Sequence, residues 1–183
     1  MKIQFLVVLF IIHVHCVEEY EITVETSDCD GSGTPRKVIL YFGYVDSYDG
    51  LLMGVLGPFN FTSGLIDHGR SDIKVKLDGE DYYSNCRIFY TGMENEEDCF
   101  SAPNIVFVRH GSPSFWERST SWKPLRIRLF RQESSSIASM ADFKFEKSCD
   151  NDWIQPMEAD YTTYYYNGRL VQDGFMRIGG TYA

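Results

Sequence analysis

Over residues 20–26 hydrophobic and polar side chains alternate. Tyr20, Ile22, Val24 and Thr26 face one way, while Glu19, Glu21, Thr23 and Glu25 face the other, the period-two pattern of a strand with one buried face. Residues 72–77 alternate in the same way (Ile73, Val75, Leu77 against Lys74, Lys76), as do residues 125–130 (Leu125, Ile127, Leu129 against Arg126, Arg128) and 142–146, with Phe143 and Phe145 inward. Residues 37–44, KVILYFGY, are apolar on both faces, which predicts a strand covered on each side. Runs at 51–56, 87–90 and 104–109 bring the predicted strands before residue 150 to about eight, separated by turn residues. No window beyond residue 16 keeps a helical period over ten residues, so the chain is predicted to be all-β, an antiparallel β-sandwich. After residue 150, Asn167-Gly168 separates residues 161–166 from 169–175. That dipeptide fits the positive φ angles of a type I′ turn, predicting a C-terminal β-hairpin extension, either added to a sheet edge or folded as an appendage.

The ends of the chain set its organisation. Residues 1–16, MKIQFLVVLFIIHVHC, carry one lysine and then an apolar run too short to span a bilayer comfortably, the pattern of a secretory signal peptide. The expected division is a leader at 1–16, a sandwich domain at 17–155 and a Tyr-rich hairpin or tail at 156–183. No second apolar stretch reaches membrane-spanning length, so no transmembrane anchor is expected. Export fits the cysteines: Cys29, Cys86, Cys99 and Cys149 remain after residue 16, an even count that reads as two disulfides with three connectivities. The favoured pairing is Cys86–Cys99 and Cys29–Cys149. Asn60-Phe61-Thr62 is an N-glycosylation acceptor, expected on a surface loop. A net charge of −9 argues against a nucleic-acid partner and against bulk attraction to an anionic membrane.

Candidate chemistry is sparse. Asp28 and Asp30 lie in the Asp/Gly loop after the first strand, and Asp46 and Asp49 follow the second. Loop carboxylates are hard oxygen ligands suited to Ca²⁺, so these four form the candidate metal set, to be weighed against the local hydrogen bonding for which turns select Asp. The acidic run at 93–98 lacks the spaced ligands and Gly of an EF-hand loop and reads as solvated charge. Past the leader there are two histidines, His68 and His110. Arg109-His110-Gly111-Ser112 resembles an acid-phosphatase tripeptide, but the second His-Asp pair and the α/β setting are missing. No nucleophile elbow, phosphate loop or H-E-x-x-H motif is present. The expectation is a protein without catalytic activity.

Residues 20–26, a short Asp/Gly loop ending in Gly33-Thr34, and a hydrophobic strand ending in Gly43 resemble the start of the PLAT/LH2 domain of lipases and lipoxygenases. Phe61-Thr-Ser-Gly64-Leu-Ile-Asp67, and Trp122 ahead of a late strand, are similar to later parts of that family. The likeness is clearest over 20–43 and looser to about 154; the insertion around residues 86–99 departs from it. The resemblance implies a β-sandwich binding module, with calcium in some members. Aromatic residues make up 15% of the chain, and rings in loops anchor lipid or protein contacts. The expected binding residues are Leu51, Leu52 and Met53 with Phe115 and Trp116, directed at a lipid surface or an extracellular protein partner. A different reading makes the chain an extracellular effector or toxin-like structural protein whose hairpin binds a receptor or a second copy.

Overall fold

The computed structural model describes residues 18–45, 48, 52–61, 65, 69–77, 86–88, 103–110, 121–132, 137–156 and 162–174. Ten strands occur in it: β1 Glu18–Thr26, β2 Val38–Val45, β3 Leu52–Phe61, β4 Arg70–Leu77, β5 Cys86–Ile88, β6 Ile105–His110, β7 Pro124–Gln132, β8 Ile137–Lys144, β9 Thr162–Tyr166 and β10 Arg169–Gly174. They form a four-stranded sheet, β4-β1-β7-β8, and a six-stranded sheet, β10-β9-β6-β2-β3-β5. Every pairing is antiparallel. The C-terminal hairpin extends the larger sheet, with β9 pairing against β6.

The two sheets bury the faces that alternation assigned. Tyr20, Ile22, Val24, Ile127, Leu129 and Phe143 from the smaller sheet meet Val38, Leu40, Phe42, Val106, Val108 and Tyr165 from the larger. The hairpin is held by this core through Tyr165, whose ring lies 4.4 Å from that of Phe145 and whose hydroxyl donates to the Lys144 carbonyl. Two strands outrun their sequence signal. Strand β3 continues through Gly57-Pro58 because a register shift opposite Tyr41 absorbs the extra residue, and Pro58 lies beyond the stretch of β3 that pairs with β5, where a missing N–H costs no ladder bond. Phe59 and Phe61 are therefore core residues. Strand β8 begins at Ile137, earlier than Phe143 and Phe145 suggested.

The Asp/Gly loop is a connection between sheets, secured at one end of the sandwich. A turn closes from the Ser32 N–H to the Cys29 carbonyl at 3.0 Å, with Gly31 at φ 70°, a backbone state that favours glycine. Buried Ser32 donates to the Ser27 carbonyl at 2.6 Å. Lys123, fully buried, exchanges backbone bonds with Ser27 and Ser32. Its ammonium donates to the carbonyls of Glu146 (2.8 Å) and Asn151 (2.5 Å), which satisfies a charge that would otherwise be costly to bury. Burial holds its pKa below the usual lysine value against the attraction of Asp152 and Glu146. The Cys29–Cys149 disulfide closes the same junction, as favoured from the sequence; of the other favoured pair, Cys86 opens β5 and Cys99 lies outside the described residues.

A bond spanning 120 residues restricts the unfolded chain strongly. Cys29→Ser with Cys149→Ser is expected to lower unfolding stability by roughly 3–5 kcal/mol in denaturant titration. A loss below about 1 kcal/mol would show that the Lys123 contacts hold the junction alone.

Candidate docking face

The outer faces of the two sheets differ in kind. On the smaller sheet, cross-strand ion pairs run from edge to edge: Lys74 and Arg70 to Glu21 (both 3.5 Å), Arg128 to Glu25, and Arg126 to Asp142 (2.6 Å), and within β4 Arg70 pairs with Asp72 (2.8 Å). The Arg126 guanidinium holds the Asp142 carboxyl below its usual range. Such exposed pairs add little stability. Their effect is a solvated face.

The larger sheet presents a second apolar cluster. Val45, Val55, Ile105 and Phe107 are buried on its outer side, and Tyr41, Leu52, Tyr164 and Tyr166 pack around them half-buried. Register builds the face row by row. Tyr164, Phe107 and Tyr41 align across β9, β6 and β2, as do Tyr166, Ile105 and Gly43. Gly43 is required there, because a Cβ would sit 2.9 Å from Ile105 Cγ2 and 3.1 Å from the Gly54 carbonyl oxygen. Among the described side chains of this face the charged ones are arginines: Arg109, 5.7 Å over the Tyr41 ring, and Arg169, in register with Tyr166. Tyr48, in the connection from β2 to β3, is 98% exposed.

Leu52 joins this face, whereas Leu51, Phe115 and Trp116 lie outside the described residues, as does His68. Sequence reading missed Tyr41, Ile105, Phe107 and Arg109. Their signal was present in the double apolar pattern of residues 37–44, whose outer side needs partners.

No protein-family model matches the chain, and no curated protein matches it. Solved structures do. A lipoxygenase in complex with arachidonate is 11% identical, with a TM-score of 0.42 over 85% of this chain and 15% of that one. The alpha toxin from Clostridium absonum is 12% identical, with a TM-score of 0.46 over 85% of this chain and 31% of its own. This chain thus corresponds to less than a third of either protein, and the likeness assigns it neither ligand nor activity.

Of the four candidate metal ligands, Asp28 and Asp30 are exposed in the β1–β2 connection, and Asp46 and Asp49 lie outside the described residues. Among the described residues no three His, Cys, Asp or Glu side chains converge to hold a metal. A polar cleft of about 670 Å³ between β8 and the hairpin is already internally bonded: Asn151 donates to Glu146, the Glu146 N–H to Asp152, and Gln172 to the Trp153 carbonyl.

Arg109 and His110 point to opposite faces of β6, so the phosphatase-like tripeptide forms no single site. His110 is 4% exposed, with Nε2 2.8 Å from Thr34 Oγ1. Burial, aided by the Arg36 charge, depresses its pKa to about 4. Because the unfolded chain protonates nearer 6.5, the stabilisation is complete above pH 6.5 and is lost as pH falls toward 4, by about 3 kcal/mol in all. Denaturation between pH 7 and 4 is expected to show this slope in the wild type and to lose most of it in His110→Gln. Equal slopes would remove His110 as the cause.

Proposed function

We propose that this chain is a secreted, non-catalytic binding module that docks onto a lipid surface through the outer face of its six-stranded sheet. The observation that supports it is the segregation of charge. Among the described residues of a chain of net charge −9, Glu21, Glu25, Asp72 and Asp142 lie with their basic partners on the smaller sheet, while the outer side of the larger sheet shows half-buried tyrosines, Leu52 and two arginines. Tyrosine suits a lipid interface because the ring is apolar and the hydroxyl stays wet. Arg169, beside Tyr166, suits headgroup phosphate, which an arginine binds in a bidentate manner. The local face thus overrides the unfavourable bulk charge, since screening limits distant charges to about 8 Å at physiological salt. Leu52 extends the apolar area. Docking of this kind needs no ion, and calcium would add to it only through the candidate ligands Asp28, Asp30, Asp46 and Asp49. The resemblance of residues 20–43 to the PLAT/LH2 domain points the same way.

Co-sedimentation of oxidised residues 17–183 with phosphatidylcholine vesicles, with and without phosphatidylserine, is the test. Binding is expected to be lost in Tyr164→Ser with Tyr166→Ser and kept in Lys74→Gln on the other face. Arg169→Gln should weaken binding to the serine-containing vesicles about fivefold, from about 1 kcal/mol per basic residue at an anionic surface. If no vesicle pellets the wild type, the face serves a protein partner instead.

A further inference from the structure

Asn60, placed in a loop by sequence reading, sits on strand β3, exposed between buried Phe59 and Phe61. Alternation turns it outward, in register with Ile39, which in turn pairs with Arg109. The acceptor triplet Asn60-Phe61-Thr62 therefore presents its amide on the same outer face as the tyrosines, at the opposite end from Val45 and Leu52. Six residues of β2 separate Ile39 from Val45, about 20 Å along the sheet. Among the described residues, pairing of β3 with β5 runs from Gly54 to Leu56, short of Asn60.

We propose that Asn60 carries an N-linked glycan that covers the Ile39–Arg109 end of the outer face and confines docking to the end that bears Tyr166 and Leu52. The proposal rests on the secretory and docking readings above. In the modification, the Asn60 side-chain nitrogen bonds to the anomeric carbon of an oligosaccharide carried on a lipid pyrophosphate. The bond from that carbon to the pyrophosphate oxygen breaks, the lipid pyrophosphate leaves, and the amide gives up one proton. A hydrated glycan at this point favours an approach in which the β2–β3 connection, with exposed Tyr48, meets the lipid first.

The test expresses the full chain, leader included, in a eukaryotic secretory host and compares wild type, Asn60→Gln and Thr62→Ala by intact mass before and after peptide N-glycosidase. A single glycan is expected in the wild type, absent from both variants, with Asn60 converted to Asp on enzymatic release. Hydroxyl-radical footprinting then compares the glycosylated and released proteins. Labelling of Ile39 and Tyr41 should be lost when the glycan is present, while labelling of Tyr166 stays the same. A secreted wild type without sugar overturns the site and leaves the docking face standing, because the vesicle test uses unglycosylated chain. Sugar at Asn60 with unchanged Ile39 and Tyr41 labelling overturns the covering role. A chain retained with its leader overturns the secretory reading and the site together.

Discussion

Strand β2 carries apolar side chains on both faces, and only one face can point into the sandwich. Much of the rest follows from this. Val38, Leu40 and Phe42 help build the main core. Tyr41 and Val45 on the reverse side need a second set of partners, and Ile105, Phe107, Tyr164 and Val55 supply them. Burying the four most enclosed of these side chains contributes several kcal/mol by area. The tyrosines around them stay partly in water.

The opposite requirement governs the β1–β2 end. There the chain passes from one sheet to the other, and its backbone polar groups have to be paired inside the protein. Lys123 does much of this by bonding to carbonyls of residues 146 and 151 while its own backbone binds Ser27 and Ser32. The disulfide at Cys29 fixes the same junction. An acidic, Gly-rich loop that looks like a metal site in sequence is thus held by an internal ammonium ion and a covalent bond.

The fold was legible wherever burial has a period of two. Strands β1, β2, β4, β6 and β7 were visible because one or both faces are uniformly apolar, and the hairpin was visible in Asn167-Gly168. Strand β8 was half hidden, since Ile137 is 57% exposed and Ala, Ser and Met around it do not alternate in polarity. The second half of β3 was hidden by Gly57-Pro58, a pair that reads as a turn until the register shift is seen. Lys123 was illegible, because nothing local distinguishes a lysine that finds two carbonyls from one that faces solvent. The docking face was half legible: Leu52 and the tail tyrosines were named, but which tyrosine turns outward depends on the pairing of β9 with β6.

The division of the molecule into one solvated face and one docking face is most directly tested by nitroxide labels placed singly at residues 171 and 74, in Val171→Cys and Lys74→Cys, with relaxation by an aqueous paramagnetic agent measured on and off vesicles. Val171 lies beside Tyr164 on the larger sheet, and Lys74 lies on the smaller one, paired with Glu21. The expected result is that vesicles shield the label at 171 and leave the label at 74 as accessible as in solution. Equal shielding of both, or shielding of 74 alone, would contradict the assignment of the larger sheet as the docking surface.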